Sequence, residues 1–263
     1  MLQYDFMKNA LWAILLITPL FGLIGTMVVN NKLAFFSDAL GHSALTGIAV
    51  GVLLGISNPM VSMSLFAILF AFLLNNIKRS KVSSGDTIIS VFSSTALALG
   101  LVILSLSGSF SKYSSYLIGD ILTIVSEELV YLTILFVGVL IFWLCCFNQL
   151  LAVSTNISLA KSRGIPTNLI ETLFVMILAM LVTVSIKWVG ILIINSLLIL
   201  PAAAARNIAK NMRQYHFLSV VFSLFSGVCG LIISFYAGLA TGPTIVLISA
   251  AIFFTTFLFR RKL

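Results

Sequence analysis

Leu33-Ala-Phe-Phe-Ser-Asp-Ala-Leu-Gly-His-Ser-Ala-Leu-Thr-Gly-Ile-Ala-Val-Gly-Val-Leu-Leu54 is long and apolar enough to cross a bilayer, yet it contains one acid, Asp38, and one histidine, His42. A helix rises about 1.5 Å per residue and turns every ~3.6 residues, so residues four apart stack on one face, one turn apart. A carboxylate and an imidazole so placed can share a divalent cation. Ionisable groups are costly in hydrocarbon and by default mark a site or a path. Asp38 and His42 are therefore expected to be metal ligands, completed by another helix, a symmetry mate or water.

The same stretch carries Ala39, Ser43, Gly47, Gly51 and Gly55 at intervals of four. Small residues in that register let a second helix approach closely, so these five are expected to form a packing seam. Beside them runs the row Asp38, His42, Thr46 and Val50, which places Thr46 as a pathway-lining candidate.

Composition extends this reading to the whole chain. Hydrophobic residues make up 60% of it and charged residues 8%, with a mean hydropathy of +1.18. Soluble domains carry roughly a quarter charged residues, so the expectation is an all-α, polytopic membrane bundle embedded in lipid, residues 1–263 forming a single transmembrane domain. The net charge of +8 then reflects topology and not a nucleic-acid partner. Spans are placed at Ala10–Val29, Leu33–Leu54, Pro59–Leu74, Thr87–Ser105, Leu129–Cys146, Leu169–Ile186, Val189–Ala204, Phe217–Ala237 and Pro243–Phe259. The sixth and seventh are short and joined only by Lys187 and Trp188, so the count is eight or nine. Nine spans put all basic residues but Lys8, Lys112 and Lys187 on one side, which the positive-inside rule makes cytoplasmic. The N-terminus is then outside and the C-terminus inside.

Asn156-Ile-Ser-Leu-Ala-Lys-Ser-Arg-Gly-Ile-Pro166 reads as a short cytoplasmic helix, capped by Asn156 or Ser158 and ended by Gly164 and Pro166. Lys161 and Arg163 favour its C-terminal end, and Ala160 offers a small docking surface. Elsewhere, Asn195 is a polar group within a span and a second pathway-lining candidate. Pro201 is expected to kink or end its helix, because it has no N–H to donate. Glu127 and Glu128 suit the first turn of a helix. His216 is explained by its place at the membrane interface. Cys145, Cys146 and Cys229 are expected to be buried, inert thiols.

Several motifs together resemble the membrane permeases of bacterial ABC importers for manganese, zinc and iron. Phe36-Ser-Asp-Ala-Leu-Gly-His-Ser-Ala-Leu-Thr-Gly-Ile-Ala-Val50 resembles the Gly/Ser-Asp-Ala-x-Ser-His-Ala-x-x-Pro-Gly-x-Ala pattern of that family, with Gly41 for its Ser and Thr46 for its Pro. The segments from Ser84 to Gly100, Leu117 to Thr123 and Val189 to Arg206 are similar to three further family stretches, in the same order. The resemblance implies that Asp38 and His42 meet the metal. It also implies that Ala160 and Gly164, an Ala-x-x-x-Gly pair flanking Lys161 and Arg163, fit a groove on an ATPase subunit. The expected assembly is a homodimer with cytoplasmic ABC ATPase subunits and an extracytoplasmic metal-binding protein. The transported Mn²⁺, Zn²⁺ or Fe²⁺ would be the only metal, with no cofactor permanently bound. No Walker A pattern occurs, so ATP would act on the partner, and the chain is not itself expected to be an enzyme. The residues alone also leave open an ion-gradient-driven metal carrier. An intramembrane metalloenzyme is disfavoured by the absence of an HExxH pattern.

Overall fold

The computed structural model describes residues 3–79 and 85–259. Lys81, Arg260, Arg261 and Lys262 of the basic clusters, and Ser84 of the fourth-span motif, lie outside the described residues. In chain order, α1 (Asp5–Asn30), α2 (Ala34–Leu53), α3 (Pro59–Arg79) and α4 (Gly85–Leu106) are followed by two single turns, α5 (Phe110–Tyr113) and α6 (Ser115–Ile118), and a 3-10 turn at Ile121–Thr123. Then come α7 (Ser126–Thr155), the short α8 (Ile157–Ser162), α9 (Thr167–Val189), α10 (Ile191–Ile208), α11 (Met212–Ala237) and α12 (Thr241–Leu258). Among the described residues eight of these, α1–α4, α7, α9, α11 and α12, are long and apolar enough to cross a membrane.

The chain folds as two compact units. One holds α1, the 3-10 turn, the first half of α7, the end of α9 from Lys187, and α10–α12. The other holds α2–α5, the second half of α7, α8, and α9 as far as Ile186.

In the first unit α1 packs on α10 and α11, and α12 closes against the same two helices. Hydroxyls take the place of water across these seams: Ser219 donates to the Gly22 carbonyl at 2.6 Å and Ser223 to that of Thr18 at 2.7 Å. The shorter apolar α10 is the ninth long helix, and it runs the length of this unit. It starts beside Gly242 in the first turn of α12, and Asn207 near its end donates to Thr256 Oγ1 in the last turns of α12, at 3.3 Å. The two are therefore parallel along their whole length. A shorter apolar run suffices because protein covers α10: Ile191, Ile194, Leu198, Ala202 and Ala205 are all buried. Tyr4, just before α1, lies against Phe235 at the end of α11 with ring centroids 6.2 Å apart, and α12 starts directly after that end, so the two described chain ends lie at opposite ends of this unit. That is the parity nine crossings require.

The junction expected at Lys187 and Trp188 falls instead at Gly190, and α9 continues through both residues. Glu128, in the first turn of α7 as expected, accepts the Trp188 Nε1–H at 3.0 Å and pairs with Lys187. This clasp holds the last turn of α9 and gives Lys187 a carboxylate partner. Gly190 (φ 90°, ψ 148°) makes the break, its Cα pressed against the backbone of Ile118 and Gly119. Pro201 does not end α10, which continues to Ile208. Neighbouring helices on three sides support the interrupted hydrogen-bond ladder.

In the second unit α2 packs on both α3 and α4. Ala39 and Ser43 are buried as expected of the seam, and Gly47 and Gly51 meet α3 directly. A Cβ on Gly47 would lie 2.9 Å from Met63 Cα and 3.0 Å from Phe66 Cβ. Gly55 is the exception: it follows the end of α2 in a left-handed conformation (φ 68°) with nothing within 4 Å, so it ends the helix and does not pack it. Gly47→Leu is expected to cost about 1–3 kcal/mol by forcing α2 and α3 apart, read as a lowered Tm in detergent. An unchanged Tm would show that the seam yields freely.

Candidate metal site

On α2 almost every side chain from Phe36 to Gly51 is enclosed by protein. Asp38 and His42 are the polar exceptions, 45% and 27% exposed, with His42 Nε2 3.5 Å from Asp38 Oδ2. Helical spacing of four creates the pair, and the absence of a covering helix leaves it open. Phe35 extends the same open face by one turn and is 58% exposed. Nothing in the sequence pattern had singled it out. A carboxylate and an imidazole at this separation can both turn towards one dication. Among the described residues no third His, Cys, Asp or Glu joins them, so within this chain the donor set is two side chains.

Thr46 leaves this row. Its hydroxyl donates to the Ala96 carbonyl of α4, and it is buried beneath Gly100, where a Cβ would lie 2.7 Å from the Thr46 amide nitrogen. It belongs to the α2–α4 seam and does not line an open path, because α4 approaches closely enough to capture it. Asn195 is half-buried on α10 in the other unit. His216 lies in the first turns of α11, with Nδ1 2.7 Å from Thr26 Oγ1 of α1, a helix-to-helix contact. Cys145, Cys146 and Cys229 are free thiols; Cys145 is exposed rather than buried, because α7 turns that side outward.

The Asn156–Pro166 segment is built as its residues suggest. Asn156 Oδ1 caps α8 by accepting from the Leu159 amide at 3.0 Å, and Gly164 (φ 75°) terminates it. The α7 helix that leads to it is 30 residues long, about 45 Å, roughly half as long again as the hydrocarbon is thick. It runs past the expected end at Cys146 as far as Thr155 and leads through Asn156 straight into α8. Ala160 corrects the expectation of a docking surface, since it is buried against its own chain. The outward surface is formed by Ile157, Leu159, Lys161, Arg163 and Gly164, all exposed. The Ile165 N–H, donating back to the Ala160 carbonyl at 3.1 Å, folds the turn over Ala160.

Comparison with known proteins places these features in a wider group. The sequence profile of the ABC 3 transport family matches residues 3–260. The membrane protein ZnuB of a high-affinity zinc uptake system in Haemophilus influenzae is 32% identical, over 91% of this chain and 91% of its own length. The manganese import system permease ScaB of Streptococcus gordonii is 30% identical, over 99% and 93%. Among solved structures, PsaBC from Streptococcus pneumoniae in complex with Fab superposes with a TM-score of 0.86 at 29% identity, covering 97% of this chain and 91% of that one.

Proposed function

Because the chain belongs to the ABC 3 transport family, we propose that the open Asp38–His42 face of α2 is its metal-binding surface. The protein is the multi-pass membrane permease of an ABC-type manganese or zinc import system, and ATP hydrolysis belongs to a separate subunit. The observation that carries the site is the partial exposure of a charged pair on a helix that is otherwise enclosed. Lipid is an unacceptable neighbour for it, so a water-filled path or a second protein surface must cover it.

In our reading the whole chain acts as one permease domain and pairs with a second copy, and two Asp38–His42 sets converge on a central path. Carboxylate and imidazole suit Mn²⁺, Zn²⁺ or Fe²⁺, and two donors per chain leave a shell weak enough to release its cargo. An extracytoplasmic binding protein delivers the ion, and the path opens to one side at a time. No cofactor is needed for this cycle. Uptake into vesicles containing the permease and its ATPase tests it. Metal entry that requires ATP supports the reading, whereas entry driven by a proton gradient without ATP means a secondary carrier.

Coupling to the ATPase falls to the α8 turn, with Ile157, Leu159, Lys161, Arg163 and Gly164 as its contact surface over a buried Ala160. Among the described residues nothing lies within 4 Å of a Cβ placed on Gly164, so beyond about 1–2 kcal/mol of strain from its left-handed backbone (φ 75°) a side chain there would meet only a docked partner. Gly164→Trp is therefore expected to weaken ATPase assembly while sparing metal binding in detergent. Copurification of a complex with normal ATPase activity would remove the coupling role.

A further inference from the structure

Asn75 is a buried amide towards the end of α3, and its Nδ2 donates to Thr172 Oγ1 of α9 at 3.2 Å, across 97 residues of sequence. The Thr172 hydroxyl donates in turn to the Asn168 carbonyl at 2.8 Å, which leaves its lone pairs directed at the amide. Both residues lie in the unit that carries the metal face and α8.

Their depth gives the bond its meaning. The α2 and α3 helices are antiparallel, with Gly51 against Ser62 and Gly47 against Met63 and Phe66. Equal rise per residue on both helices carries that register on until Asp38 stands level with Asn75. On the other side of the bond, α9 begins directly after the α8 turn. The Gly164 N–H donates to Lys161 at 3.0 Å and the Ile165 N–H to Ala160 at 3.1 Å, so α8, its turn and the first turns of α9 form one hydrogen-bonded piece. Thr172 sits in the second turn of that helix.

We infer that Asn75 and Thr172 form a latch that ties the α8–α9 piece to the α2–α3 pair at the depth of the metal ligands, making them positioning residues for transport. The inference rests on the coupling reading of the α8 turn. Enclosed by protein, this amide has no water beside it to exchange for its partner, so a tilt of α9 either draws α3 along or leaves a polar group stranded. The tight Gly47 and Gly51 contacts then pass the shift from α3 to α2, where Asp38 and His42 reside.

The test uses the permease–ATPase complex in vesicles, with Mn²⁺ as the probe, and reads Mn²⁺ moved per ATP hydrolysed. Thr172→Val removes the hydroxyl at constant shape, Asn75→Leu removes the donor, and Thr172→Ser keeps the acceptor. Thr172→Val and Asn75→Leu are expected to hydrolyse ATP but move roughly three- to tenfold less Mn²⁺ per ATP, the factor an interhelical hydrogen bond in a membrane carries. The double variant is expected to be no worse than either single one, and Thr172→Ser to keep the normal ratio. A normal ratio in Thr172→Val overturns the latch, and so does equal damage in the Val and Ser variants, which would mark a packing role. Gly164→Trp, measured alongside, separates the two readings. If it disrupts ATPase assembly while Thr172→Val is normal, only the latch fails; if it has no effect, the docking assignment and the latch fail together.

Discussion

Asp38→Asn is expected to reduce ATP-dependent metal uptake by at least ~100-fold, beyond the 10- to 100-fold typical when a group merely supporting a ligand is lost. The substitution keeps the size and hydrogen-bonding capacity of the side chain but removes its charge. A dication leaving water then meets an imidazole and a neutral amide, which replace its hydration poorly. Asp38 is 45% exposed and lies outside the α2 seams, so folding and assembly with the ATPase should be unaffected. His42→Ala should show a similar loss. The measurement is uptake of Mn²⁺ or Zn²⁺ into vesicles, with copurification of the ATPase as the control. Uptake at the original rate by the Asn variant would dismiss Asp38 as a ligand.

Gly190→Ala is expected to leave little folded permease. Its backbone (φ 90°, ψ 148°) lies near a region essentially reserved for glycine, where a side chain costs about 1–3 kcal/mol. The new Cβ would also run into the Ile118 carbonyl, adding an overpacking penalty of ~1–3 kcal/mol. Together these are a large fraction of the ~5–15 kcal/mol that holds most proteins folded. Gly238→Ala provides the comparison. Gly238 is also left-handed (φ 64°) but has nothing within 4 Å, so its substitution should cost only about 1–2 kcal/mol. Size-exclusion yield and Tm in detergent distinguish the two, and equal shifts would mean that the Gly119–Gly190 crossing carries no load.

The Gly190 junction also shows where local pattern stops informing. Lys187 and Trp188 looked like a connector because a charged residue interrupts an apolar run. Glu128, 59 residues earlier, makes that lysine acceptable inside a helix by pairing with it. Pro201 likewise suggested an ending that three packed neighbours overrule. Thr46 shared a helical row with Asp38 and His42, and only the approach of α4 at Gly100 removed it from that row. Ala160 was legible as small but not as buried, since the turn that covers it depends on the left-handed Gly164.

What the chain's own residue order determined is the content of local periodicity. It placed most of the long apolar helices to within about a turn and a half, though α7 runs on from the expected Cys146 to Thr155, and it placed the charged pair on one face of α2 and the Asn156 cap. These follow from spacing along one helix and from the cost of moving charge into lipid, both of which act over a handful of positions. Tertiary structure alone decided that α10 runs parallel to the full length of α12, that the Asp38–His42 face stays uncovered while Thr46 is sealed, and that Asn75 reaches Thr172. Those outcomes depend on which helices come together in lipid, where close packing and scarce interhelical hydrogen bonds choose among many compatible apolar surfaces.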